Sequence, residues 1–473
     1  MAKAKKDKAD REQGLYRREE GLSKLSAAER KAMEAYAADY MGFLGEAKTE
    51  RLAYRESVAL LEKNGFRPIG DFKSLKPGDK VYRGYHGKTL LAAVIGSSPL
   101  GEGLNVVGGH TDAPRIDLKP VPLAEKGGFA YFDTHYYGGI KKYQWVVRPL
   151  ALYGVVCRAD GTTVEIAIGD KPGDPVFLIT DILPHLGQEQ AKKPLSKGIE
   201  GEDLDLLIGS EASADKDAKE KVKANVLALL KQTYGIEEED FTSAELEIVP
   251  AGLPRELGFD RSMIAGYGHD DRVCAFAGLK ALVDLGSVPA RTAVAIMCDK
   301  EEIGSVGATG MDSTFFENSV AEIASRVLGR DYSDLAVRRI LEASRMISAD
   351  VTAAGDPLYA GSDAPGNTAL MNAGACINKY TGSGGKGGAS DARAEFLAQL
   401  RAIFAKHKVA WQIGELGKVD HGGGGTIAKF MARYGMDVVD MGTALLNMHA
   451  PWEIASKFDV YMTYRAYFAF FKG

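Results

Sequence analysis

Two glutamates, Glu301 and Glu302, stand side by side in CDKEEIGSVG, directly after the apolar run RTAVAIM. A buried strand has little use for charge at its tip unless something there binds it. The pattern recurs along the chain: His110 and Asp112 in GGHTDAP, Asp270 and Asp271 in GHDDRVC, Asp350 in ISADV, and His449 in LLNMHAPWE. Two histidines with several carboxylates form an N/O donor set that suits zinc, manganese or cobalt. Each member also has a plainer use. A single histidine serves more often as a hydrogen-bonded structural residue. An aspartate after a strand serves more often as a helix N-cap, as Asp270 or Asp271 could for VCAFAGLKAL. The spacing of His110 and Asp112 says more, because a carboxylate two residues on can receive the other imidazole N–H and fix the tautomer.

These groups need strands that end at one place. From about Ser26 to Asn64 the apolar positions have helical spacing, and DKVYRGYHGKTLLAAVIG reads as paired strands around a glycine turn. LNVVGGHTDAPRI reads as a buried strand running into a polar loop. Between roughly 118 and 251 the pattern changes: HYYGGIKKYQWVVRPLALYGVVCRADGTTVEIAIG alternates and is cut by Gly and Asp-Gly turns, as antiparallel strands are. A helix over ADKDAKEKVKANVLALLKQTYG and a strand over AELEIVP follow. Beyond 252, helical and strand segments alternate (VCAFAGLKALVDLG, RTAVAIM, SVAEIASRVLGR, YSDLAVRRILEA, MISADV, VAWQIGEL, MDVVDMG), which predicts a mixed, largely parallel sheet flanked by helices. The expected organisation is an α/β domain split by an antiparallel, β-rich insertion. Its parts are a charged flexible tail over 1–25, a discontinuous domain over 26–117 and 252–473, and the insertion over 118–251. In such sheets ligands collect at the carboxyl ends of the strands, where the acids and histidines lie.

Bulk properties narrow the partners. With 473 residues, 45% of them hydrophobic, the chain can build a sizeable core. A net charge of -5 gives no reason to expect nucleic acid or an acidic membrane surface. The cysteines Cys157, Cys274, Cys298 and Cys376 form no CxxC pair and read as reduced core thiols. The N-terminus is basic without the apolar stretch of a secretory signal, and no apolar run is long enough to span a bilayer, so a cytoplasmic protein is expected. Neither a nucleotide-binding GxxxxGKS nor a GxSxG nucleophile elbow occurs. DHGGGGTIAKF could approach a ligand through its backbone N–H groups or be a plain turn.

Taken together, GGHTDAPRIDLKP, GHDDR, DKEEIGSVGATG, SADV and DMGTALLNMHA resemble the aspartyl aminopeptidase and aminopeptidase I family of dinuclear metallopeptidases. The resemblance runs from about Tyr40 to the C-terminus and includes YGGI at 137–140. It implies a split zinc-peptidase-like fold, two divalent metal ions per subunit (zinc, with manganese or cobalt as alternatives), and a peptide substrate with a free N-terminus. Asp270 would bridge the metals; His110 and Asp350 would complete one site, Glu302 and His449 the other. Glu301 would be the general base and Asp112 the partner of His110, while Asp271 would cap the helix or pair with Arg272. Three carboxylates and one hydroxide balance the charge of two divalent cations. His185, in ILPHLGQ, matches a family histidine of the inserted domain that completes a neighbouring subunit's site; it reads equally as a structural residue in a loop. Lys379, in INKYTGSGGKGG, matches the region where aspartate-preferring members place a cation for the substrate, with Lys386 as a second candidate. The glycine-rich loop there departs from those members. The family also implies a large homo-oligomer, commonly a dodecamer, assembled through the insertion. One rival reading is a deacylase or carboxypeptidase with the same metals; another is an assembly protein without turnover, against which the full set of ligands and base speaks.

Overall fold

The computed structural model describes residues 16, 18, 20–364 and 366–473. Its centre is a nine-stranded mixed sheet. Four neighbouring strands, Ala293–Cys298, Asn105–His110, Arg345–Ser348 and Asp437–Gly442, run parallel in that order. The hairpin Lys80–Tyr85 and Thr89–Val94 extends the sheet on one side, and Ala375–Asn378 with Trp411–Ile413 on the other. The first two parallel strands are buried along their whole length, as strands covered on both faces must be. Alternate side chains feed opposite cores: Ala293, Ala295 and Met297 enter one, Val294, Ile296 and Cys298 the other.

Helices His269–Val283, Lys457–Lys472 and Ala27–Glu46 cover one face, and Phe315–Leu328 with Asp334–Glu342 the other. The helix Ala27–Glu46 starts at a capping box, in which Ser26 and Glu29 accept each other's main-chain N–H. The apolar C-terminal segment forms the packed helix Lys457–Lys472, whose Arg465 reaches the His407 carbonyl.

A six-stranded antiparallel sheet occupies the middle of the chain, in the order Thr163–Ile168, Leu150–Cys157, Ala244–Pro250, Arg115–Lys126, Phe129–Tyr137, Leu206–Gly209. It has its own core around Trp145, Ile116, Phe132 and Ile248. Pairing begins at Arg115, ahead of the expected boundary at 118. A third sheet, absent from the sequence reading, has five short strands: Arg255–Leu257, Met263–Gly266, Glu453–Ser456, Ala444–Leu446 and Thr352–Ala353. It connects segments that leave the carboxyl ends of the central strands.

Two expectations need amending. The tail expected over 1–25 lies mostly outside the described residues, but Leu22 and Leu25 pack against Met33, Phe458 and Met462. Of the four cysteines, Cys274, Cys298 and Cys376 are buried; Cys157, at the end of a strand of the antiparallel sheet, is exposed and is no core thiol.

Candidate metal centre

The central strands deliver their terminal residues to one place. His110 ends its own strand; Glu301 follows Cys298 by a short turn, and Asp350 lies two residues past Ser348. Asp270 comes from the first turn of the helix His269–Val283, and His449 from the connection between two strands of the third sheet. The carboxylate of Asp270 stands between the imidazoles: Oδ1 is 3.3 Å from His110 Nε2, and Oδ2 is 3.2 Å from His449 Nε2. Asp350 Oδ1 and Glu301 Oε2 are each 3.9 Å from His110 Nε2, and Glu302 Oε2 is 3.6 Å from His449 Nε2.

Both imidazoles are oriented in the same way. His110 Nδ1 lies 3.0 Å from the Asp112 carbonyl and His449 Nδ1 lies 2.8 Å from the Gly139 carbonyl. A carbonyl can only accept, so each Nδ1 carries a hydrogen, and each ring presents Nε2 to Asp270, the nitrogen that would be free to ligate a cation. Gly138 and Gly139 permit this close packing, since a Cβ would lie 3.3 Å from Glu302 at the first and 3.3 Å from His449 at the second.

The donors fit a cation. His110, Asp270 and Glu302 offer atoms all within 4.8 Å of one another, as do His110, Asp271 and Asp350. Glu302 Oε1 is buried without a hydrogen-bond partner. In the metal-free protein, burial and repulsion by neighbouring carboxylates push Glu302 and Asp350 well above the usual carboxylate range. Burial pushes Glu301 up to about 7 against the pull of His110, whereas His449, despite its burial, is raised to about 10 by Asp270 and Glu302. Anionic donors crowded this closely are what a divalent ion satisfies.

Asp112 does more than the sequence spacing suggested. The nearer partner of His110 Nδ1 is the Asp112 main-chain carbonyl, with the carboxylate Oδ1 at 3.4 Å. That carboxylate accepts the main-chain N–H of Glu301 at 3.1 Å on Oδ1, and on Oδ2 that of Glu302 at 3.2 Å and the hydroxyl of Tyr137 at 2.8 Å. It holds the turn that separates the two glutamates, which Lys300 (φ 67°) enters and Gly304 (φ 99°) leaves in the left-handed region. Burial opposes its charge, yet His110, Tyr137 and Arg115 keep its carboxyl below the usual range.

Asp271 does not pair with Arg272. Its Oδ2 faces the His110 main-chain N–H at 3.4 Å, whereas Arg272 points away, donating to the Lys48 carbonyl and lying over the Tyr267 ring. Sequence reasoning missed Glu453, a buried carboxylate that accepts the N–H of Asp270 at 3.0 Å on one oxygen and that of His449 at 2.7 Å on the other. Its only signal was its place four residues after His449 in MHAPWE.

The centre opens into a cleft of about 430 Å³, walled on the far side by Asn378, Thr381, the glycines 423–425 and Lys429. Two predicted residues do not line it. His185 sits in an exposed turn of the antiparallel region. Lys379 is 42% exposed and, like Lys386, bound to Asp391.

The chain is similar to known proteins over most of its length. The family description "Aminopeptidase I zinc metalloprotease (M18)" matches residues 43–471. A probable M18 family aminopeptidase 1 of Clostridium acetobutylicum is 52% identical over 435 residues, 91% of this chain and 93% of the relative. The crystal structure of an M18 aminopeptidase from Thermotoga maritima superposes with a TM-score of 0.92 at 44% identity, over 97% of this chain and 100% of that one. The S. cerevisiae mApe1 dodecamer shares the fold, with a TM-score of 0.75 at 20% identity over 93% of this chain and 97% of that one. With its histidines and carboxylates gathered at the strand ends, the chain belongs to the aminopeptidase I (M18) zinc metalloprotease family and is a metallo-aminopeptidase, a hydrolase of peptide bonds.

Proposed function

We propose that the centre holds two divalent ions per subunit, zinc first, with manganese or cobalt also suited to the donors, and that it removes N-terminal residues from peptides with a free α-amine. The observation that carries this reading is the position of Asp270, whose two oxygens each face the Nε2 of a different histidine. Asp270 would bridge, with His110 and Asp350 on one side and Glu302 and His449 on the other. Bound ions would supply Lewis acidity toward the scissile carbonyl and acidify a water. Glu301, left unligated, would take the proton of that water on its carboxylate and return it to the leaving amine. Asp112 would hold Glu301 and Glu302 in their separate roles through their main-chain N–H groups.

Glu301→Gln should lower kcat at least about 100-fold while metal content stays near that of the wild type. Glu302→Gln should lose metal. Turnover on aminoacyl anilides, with metal measured on the same preparations, decides between them; if Glu301→Gln is the variant that loses metal, the two roles are exchanged.

The antiparallel region presents apolar side chains to solvent at Val176, Ile182, Leu183, Leu186 and Leu195. This supports a split catalytic domain whose inserted sheet drives homo-oligomerisation, for which the dodecamer is the arrangement we infer. No helix among the described residues is long and apolar enough to cross a membrane. We assign the chain to the cytoplasm, where its buried thiols would stay reduced.

A further inference from the structure

Three consecutive residues of the antiparallel region reach the metal centre, and all three bear on the same half of it. Tyr137 closes the strand Phe129–Tyr137, where it pairs with Arg115. Its hydroxyl donates at 2.8 Å to Asp112 Oδ2, the oxygen that also accepts the Glu302 main-chain N–H. Gly138, in the left-handed region at φ 72°, backs Glu302 so closely that a Cβ there would lie 3.3 Å from Glu302 Cβ. The Gly139 carbonyl accepts from His449 Nδ1 at 2.8 Å. Glu302 and His449 thus share one support, whereas His110 and Asp350 are placed by the ends of two central strands.

The two histidines lean on their supports unequally. The His110 side chain is 2% exposed, and its Nδ1 has two oxygens of Asp112 nearby, the carbonyl at 3.0 Å and the carboxylate at 3.4 Å. The His449 side chain is 36% exposed, stands on a short connection between strands, and has the Gly139 carbonyl as the acceptor for Nδ1. A ring this open to solvent keeps its orientation through that bond. The support is itself fixed: the Arg115 guanidinium lies 3.9 Å over the Tyr137 ring, and Arg115 is buried against Glu50 and Glu247.

Resting on the two-metal reading of the centre, we propose that residues 137–139 are a positioning strap for one metal position, that of Glu302 and His449. Tyr137 acts through Asp112 on the Glu302 main chain, and Gly139 acts directly on the His449 ring; neither is a ligand. The position of His110 and Asp350 is left to the central sheet. The antiparallel region thereby takes part in metal binding at one position and not at the other.

Zinc affinity, measured by chelator competition, tests this in two backgrounds that each leave one position intact. Asp350→Asn keeps Glu302 and His449; His449→Ala keeps His110 and Asp350. Adding Tyr137→Phe should weaken zinc binding about tenfold in the first background and less than about twofold in the second. Gly139→Ala, whose Cβ would lie 3.3 Å from His449 Nδ1, should do the same through a different contact, and it removes no buried hydroxyl should Tyr137→Phe fail to fold. An effect at least about threefold larger in the first background, with either variant, upholds the strap. Smaller ratios with both overturn it, because a general loosening of the fold weakens both positions alike. A background variant that binds no zinc overturns the two-metal reading and the strap with it, which sets that failure apart from failure of the strap alone.

Discussion

Glu453 touches no candidate metal position, yet two of the proposed metal ligands hang from it. One of its oxygens accepts the main-chain N–H of Asp270 and the other that of His449, residues brought in by separate elements. Burial and Asp270 push its carboxyl up to about 8 in the metal-free protein; cations at Asp270 act in the opposite sense and favour the ionised acceptor. Glutamine keeps the shape but offers one acceptor and turns an NH2 toward a main-chain N–H. Such a mismatch costs about 1–3 kcal/mol in a buried site. Glu453→Gln should therefore lower metal affinity about 10–100-fold, measured by titrating metal-stripped protein, and wild-type affinity would reduce Glu453 to a packing role. At this scale the sequence revealed groups that are chemically odd where they stand, such as Glu301 and His110 at the ends of apolar strands. It concealed Glu453 and Tyr137, which act through contacts that only the tertiary path creates.

Among the elements, the strand Asp437–Gly442 anchors the glycine-rich wall of the cleft. Its Asp440 is buried and accepts the Thr426 hydroxyl, with the hydroxyls of Ser348 and Thr381 alongside. Burial pushes Asp440 up to about 6, against an ordinary aspartate value near 4. The folded protein thus holds a proton between about pH 4 and 6 that the unfolded chain has released. Stability from this group is lost as pH rises through that window and stays level above it. A gap of about two units corresponds to about 3 kcal/mol. Asparagine cannot ionise, and the neighbouring hydroxyls can turn to accept from its NH2. Asp440→Asn should gain on wild type by up to about 3 kcal/mol between pH 4 and pH 7, read from urea denaturation of the metal-free proteins. An equal difference at both pH values would mean that Asp440 is ionised throughout. The elements the sequence disclosed are those long enough to show a period, such as Phe315–Leu328 or Ala293–Cys298. The third sheet escaped because strands of two to four residues have no measurable period and are defined by their partners.

At the scale of the whole molecule, the antiparallel region is tied to the centre by buried charge. Glu50 lies 2.9 Å from Lys88 and 3.3 Å from Arg115, and Arg115 reaches Glu247 at 3.4 Å. Arg115 also lies 3.9 Å over the ring of Tyr137, whose hydroxyl donates to Asp112. Removing one member of such a cluster leaves its partners buried and unpaired, so the two regions are held in a fixed relation. The same region leaves Leu186, next in sequence to His185, at 68% and Leu195 at 70% exposure. Covering each leucine would contribute roughly 1.5–3 kcal/mol, and in a two-fold interface each counts twice. Lysine at these positions reverses that gain and adds like-charge repulsion across the axis. Leu186→Lys with Leu195→Lys should therefore lower the mass of the assembly in sedimentation by at least half. If His185 completes a neighbour's site, turnover falls with the mass, and His185→Ala lowers turnover in an assembly of unchanged size. Wild-type turnover in His185→Ala would return that histidine to a purely structural place in its loop, while an unaltered mass in the double lysine variant would move the interface elsewhere on the molecule.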